Sequence, residues 1–410
     1  LYSGFVYDLN IDNARNYIAN DIVVHNCIYQ WRGADIKNIL GFEKDYPEAK
    51  VIKLEQNYRS TQNILKLTNE IISKAKEKYT KNLFSNIVSP QVPALICAKD
   101  TQMEADFICQ RILELLDEDI NLSDICVLTR NARMSYNLEI ELSKRAIPFQ
   151  KFGGPKFMET AHIKDVVAHL RVILNPDDVI SLTRILLLLK GVGASTVNNI
   201  MPIIKGDLKP DIKLLPSNKS QSLTPLFNTL GQLRDYSTTK KPEEIVSAVI
   251  NYYRPILKDK YDDFSKREKD LDHFEYLSTQ YSNLEDFISD LALEPPDASV
   301  EGMYKKNSDD EALTISTIHS AKGLEWDSVF IIGAVDGRFP SAYSFNSEEE
   351  MDEELRLMYV ATTRAKNNLY ITYPVDMYDY SMNMVLSKPS RFLDGIPDDI
   401  LERWDITEEE

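Results

Sequence analysis

The chain has 410 residues, 43% of them hydrophobic and 27% charged, long enough for two or more domains and ordinary for a soluble globular protein. A formal net charge of −17 excludes a protein coated in basic surface, so any contact with nucleic acid has to come from a local groove. Cys27, Cys97, Cys109 and Cys126 form no CxxC pair and no zinc-like spacing with histidine, so scattered core thiols in a reducing compartment are expected. No apolar run reaches membrane-spanning length and the N-terminus lacks the form of a signal peptide, so a cytoplasmic protein with no membrane partner is expected.

The first stretch reads as short β-type pieces at residues 4–9, 17–19 and 22–24, ending in His25-Asn26-Cys27. That tripeptide has a chemistry of its own. An asparagine side-chain amide can attack its own carbonyl carbon, closing a succinimide and breaking the next peptide bond. A neighbouring histidine can move the proton, and a cysteine just past the bond can act as nucleophile.

From Ile28 the character changes. IYQWRGADIKNILGF sets Tyr29, Trp31 and Arg32 close together ahead of a helical pattern over 35–42. Aromatics interleaved with arginine can stack on unpaired bases and hold the backbone; a core aromatic pair beside a surface arginine is the other reading. A strand over 51–54 leads to Gln56-Asn57-Tyr58-Arg59-Ser60 and then a helix, with Ser60 as N-cap and Ile64, Leu65, Leu67, Ile71 and Ile72 as apolar face. Tyr58 and Arg59 therefore fall where a strand ends and a helix begins, the edge at which α/β sheets bind ligands. There an arginine can meet phosphate oxygens and a tyrosine ring can stack on a base. Strands over 94–97 and 125–129 alternate with helices over 102–116 and 133–145, the pattern of a parallel sheet covered by helices.

Over 161–310 strand signals nearly vanish and Pro-containing breaks separate helices, as in an inserted helical domain. Within it Lys190-Gly191-Val192-Gly193-Ala194-Ser195 joins two helices; such a turn can present N–H groups to phosphate, and a plain tight turn accounts for it equally well. A polar stretch over 305–310 reads as linker. The sheet resumes with TIHSAKGLEWDSVFIIGAVDGRFP: Leu313, Ile315 and Thr317–Ile318 alternate, and 329–332 is an apolar run. Between them His319, Lys322 and Glu325 share a loop with Gly323, a placement that suits ligand contact, a polar surface loop being the alternative. The acidic run over 348–354 reads as a solvated helix start. It opens LRLMYVATTRAK, with Leu355, Met358, Tyr359 and Thr362 on one face and Arg364 just before a strand over 369–372.

Two resemblances organise these pieces. VYDL, NYIAND and VVHN followed by cysteine resemble the C-terminal end of an intein. That resemblance implies that His25 assists cyclisation of Asn26, that Asp8 has a supporting role, and that Cys27 is the first residue of the host protein. Full splicing cannot run on this segment alone, whereas cleavage after Asn26 can. From Cys27 to about Trp404, IYQWRGADIKNIL, LEQNYRST, TIHSAKGLEWDSVFIIG, DGRFP and EELRLMYVATTRAK resemble, in order and spacing, the C-terminal motifs of UvrD/PcrA/Rep-type DNA helicases. KGVGAST and PSRFLDGIP resemble that family's inserted-domain turn and C-terminal ending. Its residue before IYxWRGA is usually serine; the Cys27 found here suits a splicing nucleophile.

The helicase resemblance implies an α/β fold, a RecA-like parallel sheet domain with an inserted mostly α-helical domain, behind a short β-type intein remnant. It divides the chain into an intein segment (1–26), the end of a first RecA-like domain (27–45), a second RecA-like domain in two parts (46–160 and 311–410, with the tail) and the inserted helical domain (161–310). It implies an ATP-dependent 3′-to-5′ DNA helicase that contacts ATP through Gln56, Tyr58, Arg59, Glu325 and Arg364. Tyr58 stacks on adenine, Arg59 reaches the γ-phosphate, Glu325 binds the ribose and Arg364 acts as an arginine finger. Tyr29, Trp31, Arg32, His319 and Lys322 line a single-stranded DNA path, and Gly191 and Gly193 approach duplex phosphate at the single-strand/double-strand junction. No GxxxxGK loop followed by Ser or Thr occurs in these 410 residues. The phosphate cradle and the ligands of Mg2+ are therefore expected in an N-terminal helicase half, supplied in cis or by trans-splicing, with this chain inactive alone and holding no metal. A DNA-binding module without motor activity is the alternative.

Overall fold

The computed structural model describes residues 17–19, 22–24, 44, 46–47, 55–76, 82–204, 206–211, 214–291, 311–379 and 384–406. Asp8, His25-Asn26-Cys27, the Tyr29-Trp31-Arg32 group, the expected strand over 51–54 and the linker over 305–310 lie outside these residues. In chain order the strands are β1 (Tyr17–Ala19), β2 (Ile22–Val24), β3 (Ala94–Asp100), β4 (Ile125–Thr129), β5 (Phe149–Phe152), β6 (Leu313–Thr317), β7 (Trp326–Ile331), β8 (Ala365–Asp379), β9 (Met384–Leu386) and β10 (Glu402–Asp405). The helices are α1 (Gln62–Ser73), α2 (Thr101–Asp117), α3 (Tyr136–Lys144), α4 (Ala161–Leu174), α5 (Val179–Leu187), α6 (Ala194–Ile204), α7 (Ser220–Tyr236), α8 (Pro242–Lys260), α9 (Phe264–Ser278), α10 (Leu284–Leu291) and α11 (Glu348–Thr362). The described residues divide into two units, one within Leu1–Leu138, Phe149–Gly153 and Ala298–Glu410, the other within Glu139–Pro148 and Gly154–Asp297.

The first unit is built on a sheet ordered β10-β3-β8-β7-β4-β6-β5, parallel along that whole path, with β9 antiparallel to the end of β8. Its interior strand β4, ICVLT, is buried at every position, as a parallel strand covered on both faces must be. Among the covering helices, α2 starts where the Asp100 carboxylate accepts the N–H groups of Gln102 and Met103 at 3.0 and 2.9 Å. It buries Ala105, Ile108, Cys109, Ile112 and Leu115 at helical spacing. Helices α1 and α11 add Ile64, Leu67, Ile71, Leu355, Met358 and Ala361 to a core shared with Val329, Ile331 and Leu369; each side chain larger than alanine contributes roughly 2 kcal/mol on burial. Glu104 is buried in this unit, where its Oε1 accepts from Thr372 Oγ1 at 2.6 Å and Gly333 N at 2.9 Å, and desolvation pushes its carboxyl up. Cys97, Cys109 and Cys126 are free thiols; Cys109 and Cys126 are buried as core cysteines, and Cys97 is half-buried.

The second unit is helical, from α4 through α10, with α4 at its centre and ten of its residues buried. Apart from it, β1 and β2 pair antiparallel as the short β-type pieces over 17–19 and 22–24 anticipate.

Two local expectations are corrected. Ser60 does not cap α1: its hydroxyl donates to the Ala365 carbonyl at 2.7 Å, and Thr61 occupies the N-cap position without a side-chain cap bond. The acidic run is a solvated start only over its first turn, where Ser347 caps Glu350 N at 3.3 Å. Asp352 and Glu354 are buried, the first accepting from Lys76 N at 3.1 Å and the second from Arg130 Nε at 2.9 Å. Buried carboxylates need such partners, and these tie α11 to the segments that follow α1 and β4.

Candidate functional site

The site grows from two adjacent strand starts. β7 and β8 pair in parallel with Trp326 opposite Ala365, so the residues just before them, Glu325 and Arg364, stand side by side. Trp326 N donates to Arg364 O at 3.1 Å, which fixes that adjacency in the backbone. The start of α1 is stitched to the same place: Ser60 Oγ donates to Ala365 O, and Thr61 N to Lys366 O at 3.0 Å. Asn57 Oδ1 accepts the N–H groups of Arg59 and Ser60 at 2.7 and 2.8 Å, an Asx turn that holds Tyr58 and Arg59 in one orientation.

Arg59, Glu325, Arg364 and Lys366 meet there. Arg59 Nε bonds Glu325 Oε2, its Nη1 donates to the Thr363 carbonyl at 3.3 Å, and Lys366 Nζ lies 3.3 Å from Glu325 Oε1. Arg364 is buried and donates from Nε to Val360 O at 3.0 Å, from Nη1 to Leu324 O at 2.8 Å and from Nη2 to Thr363 Oγ1 at 3.0 Å. Desolvation, with the Arg59 guanidinium nearby, pulls Arg364 down to about 10, so it stays charged at neutral pH. The Arg59 hydrogen bond holds the Glu325 carboxyl below its usual range despite some desolvation, with Lys366 adding to the effect. Three cations against one carboxylate leave the cluster net positive. Tyr58 stands beside it 79% exposed, and its hydroxyl donates to Gln56 Oε1 at 2.9 Å. An aromatic ring left that far in solvent serves stacking better than packing.

The edge differs from the expectation. Glu325 and Arg364 stand at the amino ends of β7 and β8, whereas ligands of open α/β sheets bind outside the carboxyl ends. The physical reason is the crossover 318–325. β6 and β7 flank β4, Thr317 pairing with Thr129 at its end and Ser328 with Ile125 at its start, so the connection runs back from carboxyl to amino edge. His319 and Lys322 lie half-buried on this strap, ahead of Gly323, whose φ of +89° favours glycine, and Glu325 ends it. Gly153 packs against the start of the strap: with φ +91°, a Cβ there would strike Thr317 Oγ1, meet Thr317 Cγ2 at 2.7 Å and meet Ser320 Oγ at 3.1 Å.

In the helical unit, Gly191 and Gly193 are exposed in the turn between α5 and α6. Gly191 has φ +76° with Lys219 Nζ 3.0 Å from where its Cβ would sit, and Gly193 has open space around it. The structure thus brings Gln56, Tyr58, Arg59, Glu325 and Arg364 together, puts His319 and Lys322 on the strap that ends at them, and sets Gly191 and Gly193 in the other unit. Sequence reasoning missed Lys366 and Asn57, although Lys366 sits two residues past Arg364 in the same TRAK run. Among the described residues no group of three His, Cys, Asp or Glu is placed to hold a metal, and no helix is long and apolar enough to cross a membrane.

Comparison with known proteins fits this geometry. The sequence model of the UvrD-like helicase C-terminal domain matches residues 52–376. ATP-dependent DNA helicase PcrA of Bacillus subtilis is 35% identical over 396 residues, covering 92% of this chain and 53% of that protein. PcrA of Staphylococcus aureus is 34% identical over 399 residues, with the same coverage of 92% and 53%. A probable DNA helicase II homolog of Rickettsia felis is 33% identical over 395 residues, covering 92% of this chain and 59% of that protein. The chain spans about half the length of the relatives it matches. By its motifs, its parallel sheet and the family match over most of its length, the chain belongs to the UvrD-like helicases, of which it carries the C-terminal domain.

Proposed function

We propose that this chain is the back half of an ATP-driven DNA helicase moving 3′ to 5′, its sheet unit being the second of two RecA-like domains and its helical unit the inserted domain. The convergence of Arg59, Glu325 and Arg364 beside an exposed Tyr58 carries this reading. ATP fits the donor set: a net-positive cluster offers guanidinium N–H groups to polyphosphate oxygens and a carboxylate to ribose hydroxyls. Arg59 and Arg364 stabilise charge on the transferring phosphoryl group, Tyr58 stacks on the base, and Gln56 orients Tyr58 through its hydroxyl. Mg2+ does not fit here, since the one carboxylate is already paired with two cations; its ligands belong with the phosphate cradle of the preceding half.

The strap 318–325 supplies the coupling. It runs from the carboxyl edge, where His319 and Lys322 contact single-stranded DNA, to Glu325 at the nucleotide, so closure on ATP and grip on DNA share one rigid segment. Tyr29, Trp31 and Arg32 extend the DNA path, and the Gly191–Gly193 turn meets duplex phosphate. The polypeptide of these 410 residues by itself is expected to hydrolyse no ATP, because it holds no phosphate-binding loop. Arg364→Ala in the full-length protein tests the reading: a motor shows DNA-stimulated turnover that collapses in the variant, whereas a binding module has none to lose and keeps its DNA affinity.

The same reading takes residues 1–26 as an intein tail. His25, Asn26 and Cys27 supply the proton, the cyclising amide and the nucleophile, and Asp8 supports them. Mass spectrometry of the mature protein across Cys27 tests this. Upstream helicase sequence joined to Cys27 supports splicing, in cis or in trans, and a persistent His25-Asn26 before Cys27 argues against it.

A further inference from the structure

Glu325 is held from two sides, and the two sides differ. Its Oε2 takes the Arg59 guanidinium through Nε, and its Oε1 faces the Lys366 ammonium at 3.3 Å. Arg59 is the partner that a phosphate would claim, and a guanidinium that turns to a phosphate oxygen gives up much of its bond to the carboxylate. Lys366 is set differently. Its own carbonyl accepts Thr61 N at 3.0 Å and its neighbour's carbonyl accepts Ser60 Oγ at 2.7 Å, so its backbone, at the start of β8, is pinned to the start of α1. Its side chain is 39% exposed and makes no other ion pair among the described residues.

We propose that Lys366 is a positioning residue that keeps the Glu325 carboxylate aimed at the ribose hydroxyls while Arg59 turns to the γ-phosphate. Without it, Glu325 loses its one partner that survives nucleotide binding, and the carboxylate swings free on the half-exposed edge. This inference rests on the reading above, that the cluster takes ATP with Glu325 at the ribose. Lys366 touches no reacting atom, so its effect falls on the nucleotide's KM and leaves the chemical step alone.

The test uses the full-length protein and steady-state ATP hydrolysis with saturating single-stranded DNA, on Lys366→Met, Lys366→Arg, Glu325→Gln and Arg59→Ala. Lys366→Met is expected to raise KM for ATP about five- to tenfold, the loss of one charge-assisted contact, with kcat within about twofold of wild type. Lys366→Arg restores KM, and a thermal melt of Lys366→Met shows it folded. The KM for 2′,3′-dideoxy-ATP, which offers Glu325 no hydroxyl, is the same in wild type and Lys366→Met. A Lys366→Met KM indistinguishable from wild type overturns the inference, and so does an equal rise for ATP and the dideoxy nucleotide, which makes Lys366 a general attractor of triphosphate. Glu325→Gln and Arg59→Ala separate the two levels: if both lower kcat/KM for ATP while Lys366→Met leaves KM unchanged, only the role of Lys366 falls. If neither impairs turnover, the nucleotide reading falls with it.

Discussion

Two clusters of charge in this molecule look alike as diagrams and differ as physics. In the sheet unit, Glu325 collects Arg59 and Lys366 with its side chain 40% exposed. In the helical unit, Asp165 on α4 collects the Arg184 guanidinium at 2.7 Å, the Tyr253 hydroxyl at 2.7 Å and the Lys260 ammonium at 3.8 Å, and its side chain is 1% exposed. The Asp165 carbonyl also accepts His169 Nδ1–H at 2.7 Å, a carbonyl being able only to accept. Every side-chain contact of Asp165 joins one helix to another, α4 to α5 and α8, and burial with Asp165 alongside keeps the Tyr253 hydroxyl protonated far above its ordinary range. Glu325 sits instead at a wet edge, with the carboxylate itself at least as open to solvent as the two cations it pairs with. The number of ionic contacts does not separate a structural cluster from a functional one. What separates them is whether polar capacity is left over and within reach of a ligand.

The largest effects expected lie at the two centres and are opposite in kind. If the proposed function holds, Arg364→Ala in the full-length protein is expected to lower DNA-stimulated ATP turnover about a thousandfold or more, measured by steady-state hydrolysis, as loss of an arginine finger does. Asp165→Ala costs roughly 3–5 kcal/mol of stability in denaturant unfolding, since it leaves Arg184, Lys260 and a buried tyrosine hydroxyl without their partner. Turnover per folded molecule is unchanged. A folded Asp165→Ala protein that loses turnover at undiminished stability breaks the comparison.

The buried cluster also carries a pH signature. Desolvation brings the buried His169 down to about 4 from 6.5, with its bond to the Asp165 carbonyl opposing the shift. Its folded pKa lies below its unfolded one, so between those values the unfolded chain binds the extra proton. Stability is therefore intact above about pH 6.5 and lost as pH falls toward 4, on the order of 3 kcal/mol in all. Denaturant midpoints across that window check this, and His169→Gln should flatten the profile. Next in size is Gly153→Ala, expected to cost about 1–3 kcal/mol in thermal or denaturant unfolding. The added Cβ meets Thr317 and demands a left-handed backbone, loosening the strap at its carboxyl-edge end.

The sequence showed the central architecture where burial imposes a simple pattern. ICVLT reads as a strand and is one, with the same ends, because a parallel strand buried on both faces is an unbroken apolar run. β8 reads only over 369–372 because its first residues, Ala365-Lys366-Asn367-Asn368, are polar or small; they hold strand geometry through pairing with β7 rather than through apolar pattern. β5 (FQKF) and β10 (ERWD) escape the pattern for a related reason: both are four-residue strands at the ends of the sheet path, too short and too rich in charged or polar residues to show an apolar run. The motif residues were legible one by one, but Arg59 and Glu325 are 266 positions apart, and no local pattern announces that they touch. Nor does it announce the edge: only the pairing of β6 and β7 on either side of β4 shows the strap doubling back to the amino ends.

The smallest effect sharpens the comparison most. Glu325→Gln removes a carboxylate from between two cations, as Asp165→Ala does, yet its cost in stability should stay below about 1 kcal/mol, because half-exposed pairs are screened and the freed cations can turn to water. Glutamine keeps the shape and one acceptor, so Arg59 and Lys366 lose charge pairing without losing every contact. The same substitution should impair ATP turnover clearly, measured as kcat/KM in the full-length protein. A change of this form, small in the melt and large in the assay, marks a carboxylate held ready for a ligand. A Glu325→Gln protein that melts several kcal/mol lower would instead make Glu325 a structural counterpart of Asp165. The surplus of charge around it would then be balance for the fold rather than a seat for phosphate.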